Sequence, residues 1–263
     1  MSTPLTRTIH WRSDLPLTLT ESGSGRIVLL LHGGGGPFTV QSIATHLSKT
    51  MHVIMPTHPG WNGTERPEWL STIPDLARMY VQMLKSQGYQ DVLVIGSSVG
   101  GWIASEMAVH VASHNDTNLL TGLAIIDATG VEIPGHPIRD FYALDARGIA
   151  EYSYYDPSRF YVDPATLPPE QVARQRANMA TMRVFAGNQM YDPTLLKRLG
   201  QVQLPALVLW GDSDRIVTPA YGEAFAAAIP NARFSVVTNA GHLPHFEQPQ
   251  ATFDALDAFA AHR

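Results

Sequence analysis

The string Gly96-Ser97-Ser98-Val99-Gly100-Gly101 sets a serine between two glycines where a run of apolar residues stops and a helical pattern begins. In a turn that sharp, a side chain at either glycine would collide with neighbouring backbone, so the glycines serve to push the Ser98 hydroxyl clear of the chain. A hydroxyl is a weak nucleophile on its own. Chemistry at Ser98 therefore calls for a base within hydrogen-bond reach and a third group to orient that base.

His242 is the candidate base. It stands in Asn239-Ala240-Gly241-His242-Leu243-Pro244, just after the last expected strand, on a loop able to reach the end of a sheet. His245 is the nearest rival and makes an H-x-x-H with His242, but the string lacks the further carboxylate or histidine that a metal pair requires, so no metal is expected. The carboxylate that would hold the imidazole tautomer must also end a strand, and Leu209-Trp210-Gly211-Asp212-Ser213-Asp214 supplies it. Asp214 is preferred, Asp212 is read as a turn cap, and Asp127, which ends an earlier strand, is the outside alternative.

A tetrahedral intermediate also needs donors for its oxyanion. His32-Gly33-Gly34-Gly35-Gly36-Pro37 follows the first central strand, and consecutive glycines let backbone N–H groups turn toward a site. Gly34 N–H and Val99 N–H form the expected hole. A nucleotide cradle is the competing reading, but no Lys-Ser/Thr follows the glycines and no G-x-G-x-x-G leads to a ribose-binding acid.

The elements that must position these residues alternate along the chain. Short apolar runs at residues 27–31, 52–55, 92–95, 122–126, 206–210 and 234–237 predict strands, several of them buried on both faces. Helical periodicity is found at residues 40–49, 73–87, 99–111, 220–229 and 251–261. Two further β-like stretches, 8–12 and 17–20, precede the first central strand. Strand alternating with helix predicts an α/β fold built on a doubly wound sheet. Residues 131–196 break the rhythm, being too long for a simple crossover, and predict an inserted cap between core segments 1–130 and 197–263. Nine aromatic residues in this interval, Phe141 and Tyr142 among them, suit either a pocket roof or a small core of its own.

Composition narrows the partners. With 44% hydrophobic and 16% charged residues the chain reads as a packed globular protein. A net charge of −5 without a long basic block argues against nucleic acid. The absence of cysteine excludes thiolate catalysis and disulfides. No secretory h-region is visible in residues 1–14 and no apolar run is long enough to span a bilayer, so a soluble cytoplasmic protein without a membrane partner is expected. Oligomeric state is left open.

With these motifs placed, the chain resembles the α/β-hydrolase superfamily of lipases, esterases and related enzymes. The resemblance rests on His32-Gly33-Gly34, Gly96 to Gly101, Gly211-Asp212-Ser213-Asp214 and Gly241-His242-Leu243-Pro244, in the order nucleophile, acid, base that this fold uses. Pro56-Thr57-His58-Pro59-Gly60-Trp61-Asn62-Gly63 is similar to the family's loop after the second central strand, with Thr57 where Asp is common. The resemblance implies an eight-stranded, mostly parallel sheet with helices on both faces and a helical cap. It also implies a cofactor-free serine hydrolase acting through an acyl-enzyme on a small-molecule substrate.

Branches with an Asp nucleophile, the haloalkane dehalogenases and epoxide hydrolases, are set aside because Ser98 holds that position. Proline iminopeptidases typically carry Trp where this chain has Val99. Hydrolases of meta-cleavage products usually carry a Trp soon after the base, and Leu243 to Phe246 has none. Ester hydrolysis therefore ranks first, ahead of carbon–carbon hydrolysis, peroxide chemistry of the perhydrolase or haloperoxidase kind, and a non-catalytic ligand-binding role. Trp102, Phe141, Tyr142, Met182 and Leu243 are the candidate contacts for an apolar substrate; Arg139 and Arg183 are not assigned to a substrate carboxylate.

Overall fold

The computed structural model describes residues 3–116 and 118–261. Met1, Ser2, Thr117, His262 and Arg263, all within the expected core segments, lie outside the described residues.

Central strands β3 (Arg26–Leu31), β5 (Val92–Ser97) and β9 (Ala206–Gly211) show why unbroken apolar runs were required. Their successive side chains enter opposite cores. Leu29, Leu31, Val94, Val208 and Trp210 belong to one, and Val28, Leu30, Leu93, Ile95, Leu207 and Leu209 to the other. A strand with core on both faces cannot alternate polar with apolar residues. By contrast β2 (Leu15–Ser22) alternates between buried and half-buried positions, as expected near a sheet edge.

The remaining strands are β1 (Leu5–Arg12), β4 (Met51–Pro56), β6 (Leu120–Ile126) and β10 (Ala232–Val237). They complete an eight-stranded sheet of order β1-β2-β4-β3-β5-β6-β9-β10. Only β2 runs against the others, pairing antiparallel with both β1 and β4. The chain moves outward from β3 to β4, then returns to pair β5 on the other side of β3. This reversal makes the carboxyl ends of β3 and β5 the point where loops diverge and leave a crevice.

Helices cover both faces. On one lie α1 (Gln41–Leu47) and α10 (Pro249–Ala261); on the other α2 (Ile73–Ser86), α3 (Val99–Ser113) and α8 (Pro219–Ala227). Thr72 caps α2 by accepting the Asp75 N–H, and buried Ile73, Leu76, Ala77, Tyr80 and Leu84 form its inner face. Helix α3 is buried nearly all round, which places its N-terminus deep at the centre of the sheet.

Between β6 and β9 the chain forms a two-residue parallel ribbon of β7 (Gly130–Val131) and β8 (Tyr191–Asp192), with α4 (Ala146–Ser153), α5 (Pro157–Phe160) and α6 (Pro169–Ala186) inserted between its strands. Helix α7 (Leu195–Arg198) follows. Its Arg198 makes a two-pronged ion pair with buried Glu106 of α3, both bonds at 2.7 Å, and a third contact to Asp192, tying the base of the insertion to the core. The inserted aromatics divide between roles. Phe185 of α6 stacks on Trp61 at 5.4 Å, whereas Tyr154 and Phe160 stack on each other at 4.8 Å.

Candidate active site

Ser98 adopts φ 55° and ψ −122°, a strained conformation for a residue with a side chain, at the junction of β5 and α3. Its N–H donates to Ile126 O at 2.9 Å and its carbonyl accepts from Gly101 and Trp102, so the turn is locked from both sides. A Cβ on Gly96 would collide with the Gly100 carbonyl, and one on Gly100 with the carbonyls of Leu31 and His32. Backbone cannot yield as a side chain can. These two positions therefore need glycine for close approach.

Three loops bring the expected residues together. His242 Nε2 lies 2.9 Å from Ser98 Oγ, and His242 Nδ1 lies 2.8 Å from Asp214 Oδ2. With Asp214 accepting the Nδ1–H, the lone pair of Nε2 faces the serine hydroxyl. The other oxygen of Asp214 accepts from Ile216 N–H at 2.8 Å and Val217 N–H at 3.1 Å, which fixes the carboxylate plane. All three side chains are buried or nearly so, Ser98 being 9% and His242 6% exposed, so water is largely excluded from the proton path.

Asp212 takes the other role that the sequence suggested. It accepts from Asn239 N–H at 3.1 Å and Ala240 N–H at 3.4 Å, bracing the loop that carries His242. Asp127 is buried completely, with φ 43°, and its Oδ1 accepts the Gly211 N–H at 2.9 Å. One oxygen of Asp127, one of Asp214 and a ring nitrogen of His242 fall within 4.8 Å of one another. A cation there would have to take a ring nitrogen already engaged by Ser98 or Asp214.

The glycine-rich loop after β3 is held by its own shell. Gly33 N–H donates to Thr39 Oγ1, which leaves Gly34 N–H and Val99 N–H without a partner among the described residues. Trp61 Nε1–H donates to Gly34 O at 2.8 Å, and Asn178 of α6 donates to Gly35 O at 2.9 Å while accepting from Asn62 N–H. His32 Nδ1–H donates to Gly33 O, and its Nε2 accepts from His58 N–H. Burial pulls the His32 imidazole down to about 3, so it stays a neutral donor-acceptor strut.

His245 is also a strut. Its Nε2–H donates to Thr39 O at 2.5 Å, and burial lowers its ring to about 4.

Sequence reasoning placed Trp61 in the loop after the second central strand without its bond to Gly34 O, and missed Asn178 and Glu247. Glu247 of the short helix α9 (Pro244–Glu247) accepts from Gly241 N–H at 2.7 Å and from Tyr155 and Asp156 N–H, joining the His242 loop to the insertion. His242 N–H donates to Ser153 O at 2.7 Å across the same seam. Only the short interval from His242 to Glu247 hinted at such a brace.

Of the five candidate substrate contacts, Met182 lies directly over Gly34, its sulfur in the space a Gly34 side chain would take. Trp102 is enclosed one turn along α3 from Ser98, its ring against Gly130. Phe141 and Tyr142 are half-buried against the main core, with the Arg183 guanidinium 4.4 Å over the Tyr142 ring. Leu243 is half-buried beside the base. Arg139 stacks on Tyr152 at 4.3 Å, and no Lys or Arg is buried among the described residues.

The chain is similar to several known proteins. A 2-hydroxy-6-oxo-6-phenylhexa-2,4-dienoate hydrolase of Burkholderia cepacia is 25% identical over 259 residues, covering 91% of this chain and 89% of that protein. Lipase 1 of Psychrobacter immobilis is also 25% identical, over 92% of this chain and 80% of its own. The solved meta-cleavage product hydrolase from Pseudomonas fluorescens IP01 superposes with a TM-score of 0.78 at 16% identity over 97% of each chain, a likeness of fold. The sequence profile described as the Alpha/beta hydrolase family matches residues 28–255, and the chain belongs to that family.

Proposed function

We propose that this protein is a serine hydrolase that cleaves an ester-type bond of a small or medium apolar substrate, with Ser98 as nucleophile, His242 as base and Asp214 as its orienting acid. The observation that carries the reading is the unbroken hydrogen-bonded chain from Ser98 Oγ through both ring nitrogens to Asp214. As Oγ attacks the carbonyl carbon, His242 Nε2 takes its proton and the carbonyl oxygen becomes an oxyanion. The uncommitted N–H groups of Gly34 and Val99 receive that charge. Collapse expels the alcohol, which takes the proton from His242, and leaves the acyl group on Ser98. Water then gives a proton to His242 and attacks the acyl carbon; collapse breaks the bond to Ser98 Oγ, which takes that proton back from His242 as the acid leaves. In this reading residues 131–196 form a cap over a core of residues 1–130 and 197–263, and Met182, Phe141, Tyr142, Leu243 and Trp102 shape the apolar subsite.

The similar proteins include both a dienoate hydrolase and a lipase at equal identity, so the chain's own residues must choose. A dienoate carries a carboxylate, and a buried carboxylate requires a paired cation. The proposed subsite side chains, Met182, Phe141, Tyr142, Leu243 and Trp102, are all uncharged, and Arg183 beside them is exposed and stacks on the Tyr142 ring, which favours a neutral substrate. Carbon–carbon hydrolysis stays as the second reading on the strength of the dienoate relatives.

The test is a panel of p-nitrophenyl esters of increasing chain length run beside a 2-hydroxy-6-oxo-dienoate. Faster turnover of an ester, lost in Ser98→Ala, is the expected result. Turnover of the dienoate alone would overturn the ester assignment and leave the nucleophile standing.

A further inference from the structure

One buried carboxyl beside the relay has no part in the mechanism above. Asp127 closes β6 in a left-handed conformation, φ 43°, that a residue with a side chain adopts at a cost. Two bonds to β9 and the residue that ends it hold it there: its own N–H donates to Leu209 O at 3.1 Å, and its Oδ1 accepts from Gly211 N–H at 2.9 Å. Oδ2 is sealed from solvent without a donor among the described residues. Yet the carboxyl stands within 4.8 Å of the matching atoms of Asp214 and His242.

Two ionised carboxylates that close in a dry interior repel strongly, so one of them keeps its proton. Asp214 has three donors for its anion, the N–H groups of Ile216 and Val217 and the ring of His242. Asp127 has one. The anion therefore belongs on Asp214 and the proton on Asp127.

Building on the proposed triad, we propose that Asp127 is a positioning residue that remains protonated at neutral pH and presents a neutral O–H toward Asp214, restraining the negative charge that Asp214 exerts on His242. Burial first, and the Asp214 charge second, push the Asp127 carboxyl well above the usual carboxylate range. The titratable groups facing it are Asp214 from the loop after β9, His242 from the loop after β10 and Glu247 of α9; none supplies a fixed positive charge.

The first test does not depend on turnover. The infrared difference spectrum between the wild type and Asp127→Asn at pH 7.5 should contain the carbonyl stretch of one protonated carboxylic acid. A difference in carboxylate bands instead would overturn the proposal. The second is the acid limb of kcat/KM. Asp127→Ala removes the donor, leaves the full Asp214 charge acting on His242 and moves the limb to higher pH, by about half a unit. Asp127→Asn, a neutral donor that tolerates the left-handed conformation, returns it to the wild-type position. A limb displaced to lower pH in Asp127→Asn would mean that wild-type Asp127 is an anion and would overturn the proposal. Failure of the triad itself reads differently, as ester turnover that survives in Ser98→Ala.

Discussion

The thioether of Met182 fills the space a Gly34 side chain would take, so helix α6 packs directly on the residue whose N–H is proposed to hold the oxyanion. A substrate group approaching Gly34 from that side must push the thioether aside. Methionine suits the position because an unbranched, flexible chain can move without moving the helix.

Met182→Ala should therefore lower KM for longer-chain esters several-fold while destabilising the protein by about 2–5 kcal/mol, the usual range for emptying a buried Met site. Steady-state kinetics across the ester panel and urea unfolding check the two effects separately. Equal KM values for the variant and the wild type would show that Met182 does not obstruct entry.

Two glycine substitutions should diverge. Gly100→Ala drives a methyl into the carbonyls of Leu31 and His32, backbone at the centre of the sheet, and should abolish activity together with most of the stability. Gly34→Ala meets only the flexible Met182 side chain, so it should melt near the wild-type temperature while kcat falls. Thermal melts beside ester assays decide the matter.

The paired acids after β9 should separate in the same way. Asp214→Asn leaves the His242 tautomer unsupported, and a loss of about 10⁴-fold in kcat is expected from such a change. Asp212→Asn weakens the bonds it accepts from Asn239 N–H, Ala240 N–H and the Ser213 hydroxyl, none of them in the proposed triad. Its kcat should stay within about tenfold of wild type, with a stability loss of about 1 kcal/mol.

Acid should unfold the protein partly through its buried imidazoles. In the folded chain burial lowers His245 from 6.5 to about 4 and His32 to about 3. As pH falls below about 6.5 the unfolded chain binds protons that the folded chain refuses, so stability present at neutral pH is progressively lost down to about pH 4. For His245 the loss by pH 4 is about 3 kcal/mol. His245→Gln, which keeps a donor for Thr39 O, should show a shallower fall in melting temperature between pH 7 and pH 4.5; an unchanged slope would contradict this.

The meeting of Ser98 with His242 was legible in the sequence because a serine presented from so sharp a turn requires glycines at Gly96 and Gly100, and its proposed partner a loop just after a strand. The central strands were legible because residues such as Leu29 and Leu30 face different cores and so cannot be polar. The choice between Asp214 and Asp127 was harder, since each ends a neighbouring strand and both arrive at the imidazole. The roles of Trp61, Asn178 and Glu247 were invisible for another reason. Each serves a backbone group far away in sequence, and only the fold defines that partner. Helix α6 escaped notice because its buried face, Asn178, Met182, Phe185 and Ala186, is narrow and interrupted by a polar residue.

If the Ser98 hydroxyl is the activated nucleophile proposed above, an electrophilic phosphonate should capture it covalently. The protein is incubated with a fluorophosphonate, its intact mass recorded and the modified peptide sequenced. One phosphonyl group per chain on Ser98, absent from Ser98→Ala and strongly slowed in His242→Gln, is the expected result. A wild-type chain that stays unlabelled, or a label on another residue, would contradict the account.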